Sequence, residues 1–193
     1  MLYRFSPYNN PSYGSHFSQH HSGLTDEEIH IIREYGDNLD STNVKIYGSF
    51  NDDNVKASGS HFILNNETEW LYKKMERIVH SINASNYNYD LSGFYENFYY
   101  LKYTAPDEHF NWHLDIGPQT SAPRKLSLVL QLSDPSEYEG GEFDVLICDN
   151  EERTHKQKGM ITAFPAYKAH CVTPVTSGIR RTLSMFAVGP NFR

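Results

Sequence analysis

At 193 residues, with 38% hydrophobic and 21% charged content, the chain has an ordinary globular composition, can bury a sizeable core and reads as one domain. Its formal net charge of −7 argues against general nucleic-acid binding, which needs a basic patch. No apolar run approaches the ~20 residues of a membrane-spanning helix, and the first ten residues, M-L-Y-R-F-S-P-Y-N-N, lack the apolar centre of a signal peptide, so the expected location is the cytoplasm.

Met1–Gly23 is rich in Ser, Asn, Tyr and His without a clear period and reads as an extended arm or irregular cover. His16, His20 and His21 within it read as solvated polar residues. Leu24–Leu39 is an expected helix. Thr25 is its N-cap, Glu28 completes a capping box, and Leu24 with Ile29 forms a hydrophobic staple. Ile29, Ile32, Tyr35 and Leu39 then give one apolar stripe. Val44–Phe50 and Ser58–Leu64 read as strands around the turn Asn51–Asn54. Thr68–Ile82 reads as a second amphipathic helix burying Trp70, Leu71, Met75, Ile78, Val79 and Ile82, and N-A-S-N ends it.

From Tyr87 onward the pattern becomes strand-like, in keeping with 14% aromatic residues. Phe94–Tyr103 is a strand or pair of strands and Thr104–Asn111 a turn carrying Pro106. Leu126, Leu128, Leu130 and Leu132 alternate inward. Asp134–Gly140 reads as a polar loop, Gly141–Ile147 as a strand and Asp149–Lys158 as a charged hairpin tip. Met160–Phe164, Ala169–Val175 and Arg181–Val188 complete the set. Short strands separated by turns suggest a sandwich or barrel. Cys148 and Cys171 show no C-x-x-C spacing and read as free thiols in a reducing compartment.

The stretch F-N-W-H-L-D-I-G, residues 110–117, carries the chemistry. On a strand, His113 and Asp115 would point to one face. An imidazole and a carboxylate there make two-thirds of the 2-His-1-carboxylate triad that holds non-haem Fe(II) with open positions. Two downstream histidines compete to be the third ligand. His155 lies in the charged run E-E-R-T-H-K-Q-K and reads as a solvated surface residue. His170 enters a semi-apolar strand that can run beside His113, and reads equally as a ligand or as a core histidine. Arg180 follows His170 by ten residues across T-S-G-I, so a hairpin would bring both to one cavity. A guanidinium there suits a carboxylate of a dicarboxylate co-substrate; the rival is a surface arginine. Thr182 and Ser184 share Arg180's face and could add hydroxyl donors. Tyr103, ten residues before His113, is a phenol for the same carboxylate or a core tyrosine. Trp112 and Tyr167 flank two of the ligands and read as pocket wall or core.

The ordered set Y-x9-H-x-D, R-K-L-S-L-V-L-Q-L-S, E-G-G-E-F, K-G-M-I-T-A-F-P and H-x-V-x-P-V-x-x-G-x-R resembles the prolyl-4-hydroxylase-like branch of the Fe(II)/2-oxoglutarate-dependent dioxygenases. The similarity runs over roughly residues 91–189 and is strongest to small bacterial and viral members. It implies a mainly β fold with flanking α-helices, a double-stranded β-helix or distorted jelly roll. The expected layout is an irregular arm over 1–23, helical and strand support over 24–86 and a jelly-roll core over 87–193. The resemblance implies Fe(II) held by His113, Asp115 and His170, and 2-oxoglutarate held by Arg180 and Tyr103. O2 would be consumed, succinate and CO2 released, and ascorbate used as reductant. The implied substrate is a prolyl residue of a peptide or protein, with residues 51–54 as a lid. A free amino acid or other small molecule is an alternative, and so is a non-catalytic jelly-roll binding module with a vestigial metal site. No nucleic-acid or membrane partner is expected, and the protein would be a monomer or homodimer. Three departures from related patterns bear on function. F-P-A replaces F-P-S before the distal histidine. Phe186 breaks the R-x5-R signature of nucleic-acid demethylases. The presence of Asp115 disfavours the halogenase variant. Glu142, in the E-G-G-E-F hairpin, is not a proposed ligand.

Overall fold

Alternation along one leucine-rich strand divides the molecule into two sides. In the computed structural model, which describes residues 16–43, 55–118 and 121–190, Leu126, Leu128 and Leu130 are fully buried on one face of Arg124–Gln131. Ser127, Val129 and Gln131, at the intervening positions, belong to the other face. In chain order the described strands are β1 (Ser18–His21), β2 (Thr42–Asn43), β3 (Val55–Lys56), β4 (Ser58–Phe62), β5 (Phe98–Thr104), β6 (His109–His113), β7 (Arg124–Gln131), β8 (Tyr138–Gly140), β9 (Phe143–Ile147), β10 (Asn150–Arg153), β11 (Met160–Pro165), β12 (His170–Val172) and β13 (Val175–Val188). Two α-helices, α1 (Asp26–Asp37) and α2 (Glu69–Ile82), precede most of them.

The larger sheet runs β1-β11-β7-β13-β5-β4-β2, with β8 paired to the start of β13; the smaller runs β10-β9-β12-β6-β3. All pairings are antiparallel, and the two sheets form a distorted jelly roll. One core lies between the large sheet and the helices, where Ile32, Leu71 and Met75 meet Leu126, Leu130, Leu183 and Met185. The other lies between the sheets, where Tyr103 and Phe164 meet Val145 and Val172. The leucine ladder is therefore buried as its pattern predicts, but against the helices. The opposite face of the same strands is left to line the space between the sheets.

The helix signals are realised in atomic detail. Thr25 Oγ1 accepts from the Glu28 N–H at 3.2 Å, and Glu28 Oε2 accepts from the Thr25 N–H at 2.8 Å. The Lys74 ammonium donates to both Glu28 oxygens, at 2.7 and 2.8 Å, tying α1 to α2. Along α2 the buried face is Leu71, Tyr72, Met75, Val79 and Ile82, while Trp70 and Ile78 are only partly buried. Tyr72 was outside the predicted stripe. Its ring stacks on Phe98 at 3.8 Å, and its hydroxyl donates to the Phe62 carbonyl and accepts from the Phe98 N–H.

Several boundaries differ from the sequence expectation. Residues 18–21 of the expected irregular arm form β1, paired with residues 160–163, and Ser18 Oγ lies 3.0 Å from the Tyr87 hydroxyl. The expected turn over 104–111 is shorter, since β6 begins at His109. The polar loop 134–140 contains a short 3-10 turn and β8, and the charged tip 149–158 contains β10, paired back on β9. The largest correction concerns T-S-G-I, which is not a hairpin turn but the interior of the fourteen-residue β13. Gly178 serves close approach there: at φ +73, a Cβ would lie 2.0 Å from the Glu137 carbonyl oxygen. The expected strand Val44–Phe50 and lid Asn51–Asn54 lie outside the described residues. No helix among the described residues is long and apolar enough to cross a membrane.

Thr25→Ala should cost about 1 kcal/mol of unfolding free energy by removing the cap. Leu130→Ala, which leaves a cavity under the helices, should cost about 3 kcal/mol. Urea denaturation of the two variants would show this order.

Candidate active site

The smaller sheet supplies two of three possible metal donors, one of them through a local irregularity, and the bend after that strand supplies the third. His113 pairs with His170 and Phe110 with Val172, so Asn111 and Trp112 stand opposite Cys171 alone. This is a β-bulge, and it shifts the side-chain parity of β6 by one. Phe110 and His113 consequently share a face, their rings stacked at 3.7 Å with an interplanar angle of 6°. Trp112 turns outward and is 42% exposed. It therefore belongs neither to the core nor to the cavity wall, and the same holds for Tyr167, which is 48% exposed.

The strand ends at His113, so Asp115 does not reach the site by strand alternation as expected. It sits on the bend that follows. The N–H groups of Asp115 and Ile116 both donate to the Ala166 carbonyl, at 3.0 and 3.1 Å, and Arg124 donates to the Asp115 carbonyl at 3.0 Å. Arg124 in turn is paired with Glu96 through both carboxylate oxygens and lies over the Phe186 ring at 3.7 Å.

His113 Nε2 lies 3.7 Å from Asp115 Oδ1, and His170 Nε2 lies 3.5 Å from Asp115 Oδ2. One donor atom from each of the three falls within 4.8 Å of the others. Both rings are oriented from behind. His113 Nδ1 lies 2.8 Å from the Asn111 carbonyl and His170 Nδ1 lies 2.9 Å from the Lys168 carbonyl. A carbonyl can only accept, so Nδ1 carries the proton and Nε2 presents its lone pair to the centre. Burial, and secondarily the neighbouring His170, push the His113 imidazole down to about 4 against the counter-effect of Asp115. A neutral imidazole is the metal-binding form. Phe164 and Phe143 pack beside His170, with ring centroids 4.5 and 5.5 Å away. Two imidazoles and one carboxylate form a donor set suited to non-haem Fe(II).

Across the cavity, the large sheet brings Tyr103, Arg180, Thr182 and Ser184. Arg180 pairs with Tyr103 in the β13–β5 register. Since β12 and β13 lie in different sheets, Arg180 faces His170 across the sandwich and not along a hairpin. The cavity between them measures about 360 Å³ and is lined by both groups. Arg180 is 3% exposed, and its carbon Cζ lies 5.3 Å from the centre of the Tyr103 ring. Desolvation pushes the Tyr103 phenol up to about 12 although Arg180 opposes it, so the hydroxyl keeps its proton. Three buried polar atoms have no hydrogen-bond partner among the described residues: Arg180 NH1, Thr182 Oγ1 and Ser127 Oγ. All three side chains line this cavity. Buried polar groups are normally paired, and an unpaired guanidinium nitrogen is costly. A carboxylate bound beside Arg180 would pair its free nitrogen.

Ser127, Gln131, Tyr138, Glu96, Arg124 and Gly141 also build the site and were given no role there, although Arg124, Ser127, Gln131 and Gly141 lie within the quoted motifs. Parity alone could have found Ser127 and Gln131, as polar residues interleaved in a leucine ladder. The double glycine could have flagged Gly141, where a Cβ would lie 3.0 Å from Arg180 Cδ. Nothing local marks the Glu96–Arg124 pair. Glu142 is engaged with Lys156 at 2.6 Å, away from the donors. His155 is exposed, and no other described cluster of His, Cys, Asp and Glu could hold a metal.

Residues 98–188 match the model of the 2OG-Fe(II) oxygenase superfamily. A PKHD-type hydroxylase of Synechococcus sp. is 37% identical over 71 residues, covering 37% of this chain and 32% of that protein. The match thus spans about a third of the curated relative's length. The fold is similar to a Pseudomonas putida prolyl-4-hydroxylase, with TM-score 0.72, 16% identity, and coverage of 91% of this chain and 94% of that one. It is also similar to a Trichoplax adhaerens prolyl hydroxylase solved with a hypoxia inducible factor peptide fragment, with TM-score 0.72, 12% identity, and coverage of 90% and 83%.

The depressed His113 sets a pH dependence in the metal-free protein. Between about pH 6.5 and 4 the unfolded chain takes up a proton that the folded imidazole refuses. Stability should therefore fall as pH drops through this window, and His113→Leu should flatten that part of the profile in denaturation series at several pH values.

Proposed function

We propose that this chain, whose residues 98–188 match the model of the 2OG-Fe(II) oxygenase superfamily, is an Fe(II)- and 2-oxoglutarate-dependent hydroxylase acting on a prolyl residue of a peptide or protein. The observation that carries the reading is the convergence, on one cavity, of three donors from the small sheet and the bend that follows β6, and an unpaired buried guanidinium from the large sheet.

His113, Asp115 and His170 would hold the iron. Asp115 contributes one negative charge against two on the ion, so the centre stays net positive and favours a chelating carboxylate. Arg180 NH1 would bind the remote carboxylate of 2-oxoglutarate, with the protonated Tyr103 hydroxyl and Thr182 as further donors. Ser184 lies four residues further along the extended strand, roughly 13 Å from Arg180 between Cα atoms, which puts it beyond that carboxylate. When bound, Fe(II) and 2-oxoglutarate supply oxidative decarboxylation with O2, releasing succinate and CO2 and delivering one oxygen atom to a substrate C–H bond. Phe110, Phe143 and Val172 line the cavity and limit water around the donors.

Charge supports a residue within a polypeptide over a free amino acid. The charged groups among the described lining residues are Glu96, Asp115, Arg124 and Arg180, besides the two histidines. Asp115 and Arg180 are assigned to iron and co-substrate, and Glu96 and Arg124 neutralise each other. None is left for an ammonium or a carboxylate on the substrate. The peptide-bound Trichoplax neighbour is in keeping with a peptide substrate. A vestigial binding module would have no use for an unpaired buried arginine facing an intact donor set.

Alanine at His113, Asp115 or His170 should abolish Fe(II)-dependent succinate release from 2-oxoglutarate, assayed with proline-containing peptides and ascorbate. Normal turnover in any of the three removes that residue from the ligand set. Arg180→Ala should raise the 2-oxoglutarate requirement by about 100-fold, the loss of a charged pair, while Fe(II) still binds. An unchanged requirement would reassign the anchor.

A further inference from the structure

Arg180 also lines a second, much smaller void of about 10 Å³, together with Gln131, Tyr138, Gly141, Lys156 and Thr162 and without the three donors. It has room for about one water molecule. Tyr138 is 4% exposed and opens β8, whose pairing with β13 sets Gly178 opposite Tyr138 and Val175 opposite Gly140. The position of its phenol is over-determined. Gln131 Nε2 donates to the Ser133 carbonyl at 3.1 Å and to the Tyr138 hydroxyl at 3.0 Å, so both amide hydrogens are used and the amide cannot rotate away. The Lys156 ammonium lies 4.9 Å from the centre of the Tyr138 ring and is itself tethered to the Gly140 carbonyl at 2.7 Å. Burial pushes the Tyr138 phenol up, and the adjacent Arg180 guanidinium opposes that shift. The phenol and the guanidinium therefore meet at the small void, while Arg180, which also lines the large cavity, has NH1 unpaired.

We propose that Tyr138, held by Gln131, is a positioning residue that fixes how deep the Arg180 guanidinium sits, and so limits the length of the 2-oxo dicarboxylate the cavity accepts. The inference rests on Arg180 being the co-substrate anchor. The backbone at Arg180 pairs with β5 on one side, and on the other it is bracketed by the β8 pairing that ends at Gly178 and the β7 pairing that begins at Thr182. The long side chain is not fixed by the backbone, and its rotatable bonds would let the charged end retreat into the small void. The phenol hydroxyl blocks that retreat and offers a lone pair to the guanidinium. Gly141, at φ +57, leaves space for the arginine stem, and Tyr138 closes the space for its head. The distance between anchor and iron ligands then depends on one hydroxyl.

The test is anaerobic titration of the Fe(II)-loaded full chain with 2-oxoglutarate and with 2-oxoadipate, one methylene longer, followed by the visible charge-transfer absorbance. The wild type, Tyr138→Phe, Gln131→Leu, the double variant and Arg180→Ala are compared, with melting temperatures alongside. Tyr138→Phe should weaken 2-oxoglutarate about tenfold, the value of one hydrogen bond to a charged group, and narrow its preference over 2-oxoadipate. Gln131→Leu should shift the preference in the same direction, and the double variant should add nothing to Tyr138→Phe, because both act through one hydroxyl. A lower melting temperature with the wild-type preference ratio in Tyr138→Phe, or in Gln131→Leu if the first does not fold, overturns the proposal. Wild-type 2-oxoglutarate affinity in Arg180→Ala overturns the anchor reading instead.

Discussion

A guanidinium buried between two sheets without a carboxylate beside it is the constraint around which this molecule is arranged. Arg180 loses its hydration on folding and recovers only part of it from the phenols of Tyr103 and Tyr138. Such a residue can be held only on a strand that is itself secure. β13 meets that need: it is the longest strand, lies between β5 and β7, and presents Leu183, Met185 and Ala187 to the helix-side core. The apolar face holds the strand in place, and the opposite face is thereby free to carry Arg180 and Thr182 into the space between the sheets.

The donors and the anchor belong to different sheets, so their separation is set by what lies between. Phe143, Val145 and Val172 from the small sheet pack against Leu101, Tyr103 and Phe164 from the large one. Phe164 and Phe143 also flank the His170 ring. The inter-sheet core is therefore a spacer for the chemistry as well as a source of stability. A change of side-chain volume there alters the gap between metal donors and carboxylate anchor, and with it the fit of a small dicarboxylate.

Elements governed by local rules were legible in the sequence. The Thr25–Glu28 capping box and the burial of the leucine ladder follow from neighbours in the chain and from strand alternation. His113, Asp115, His170 and Arg180 were legible as types and in order. How they meet was not. The bulge that turns His113 inward, the bend that carries Asp115, and the separation of His170 and Arg180 into facing sheets are products of pairing between distant strands. Gly178 was misleading for a physical reason, since a glycine that admits a neighbouring backbone is indistinguishable in sequence from one that makes a turn. Tyr138 and Gln131 were silent because their importance comes from a contact with each other and with Arg180, none of them close in sequence to all the rest.

The bulge at Asn111 and Trp112 has a consequence for how this centre tolerates change in length. Because two residues there answer to one across the ladder, the inward aim of His113 depends on the bulge and only weakly on which side chains occupy the extra position. Loss of a single residue from this pair would make the pairing regular with Phe110 and His113 two positions apart, still on one face, whereas straightening the strand with both residues kept would leave the H-x-D motif intact in the sequence and turn the imidazole toward solvent. In related chains, one residue in regular pairing or two in a bulge between these positions would thus serve the centre equally.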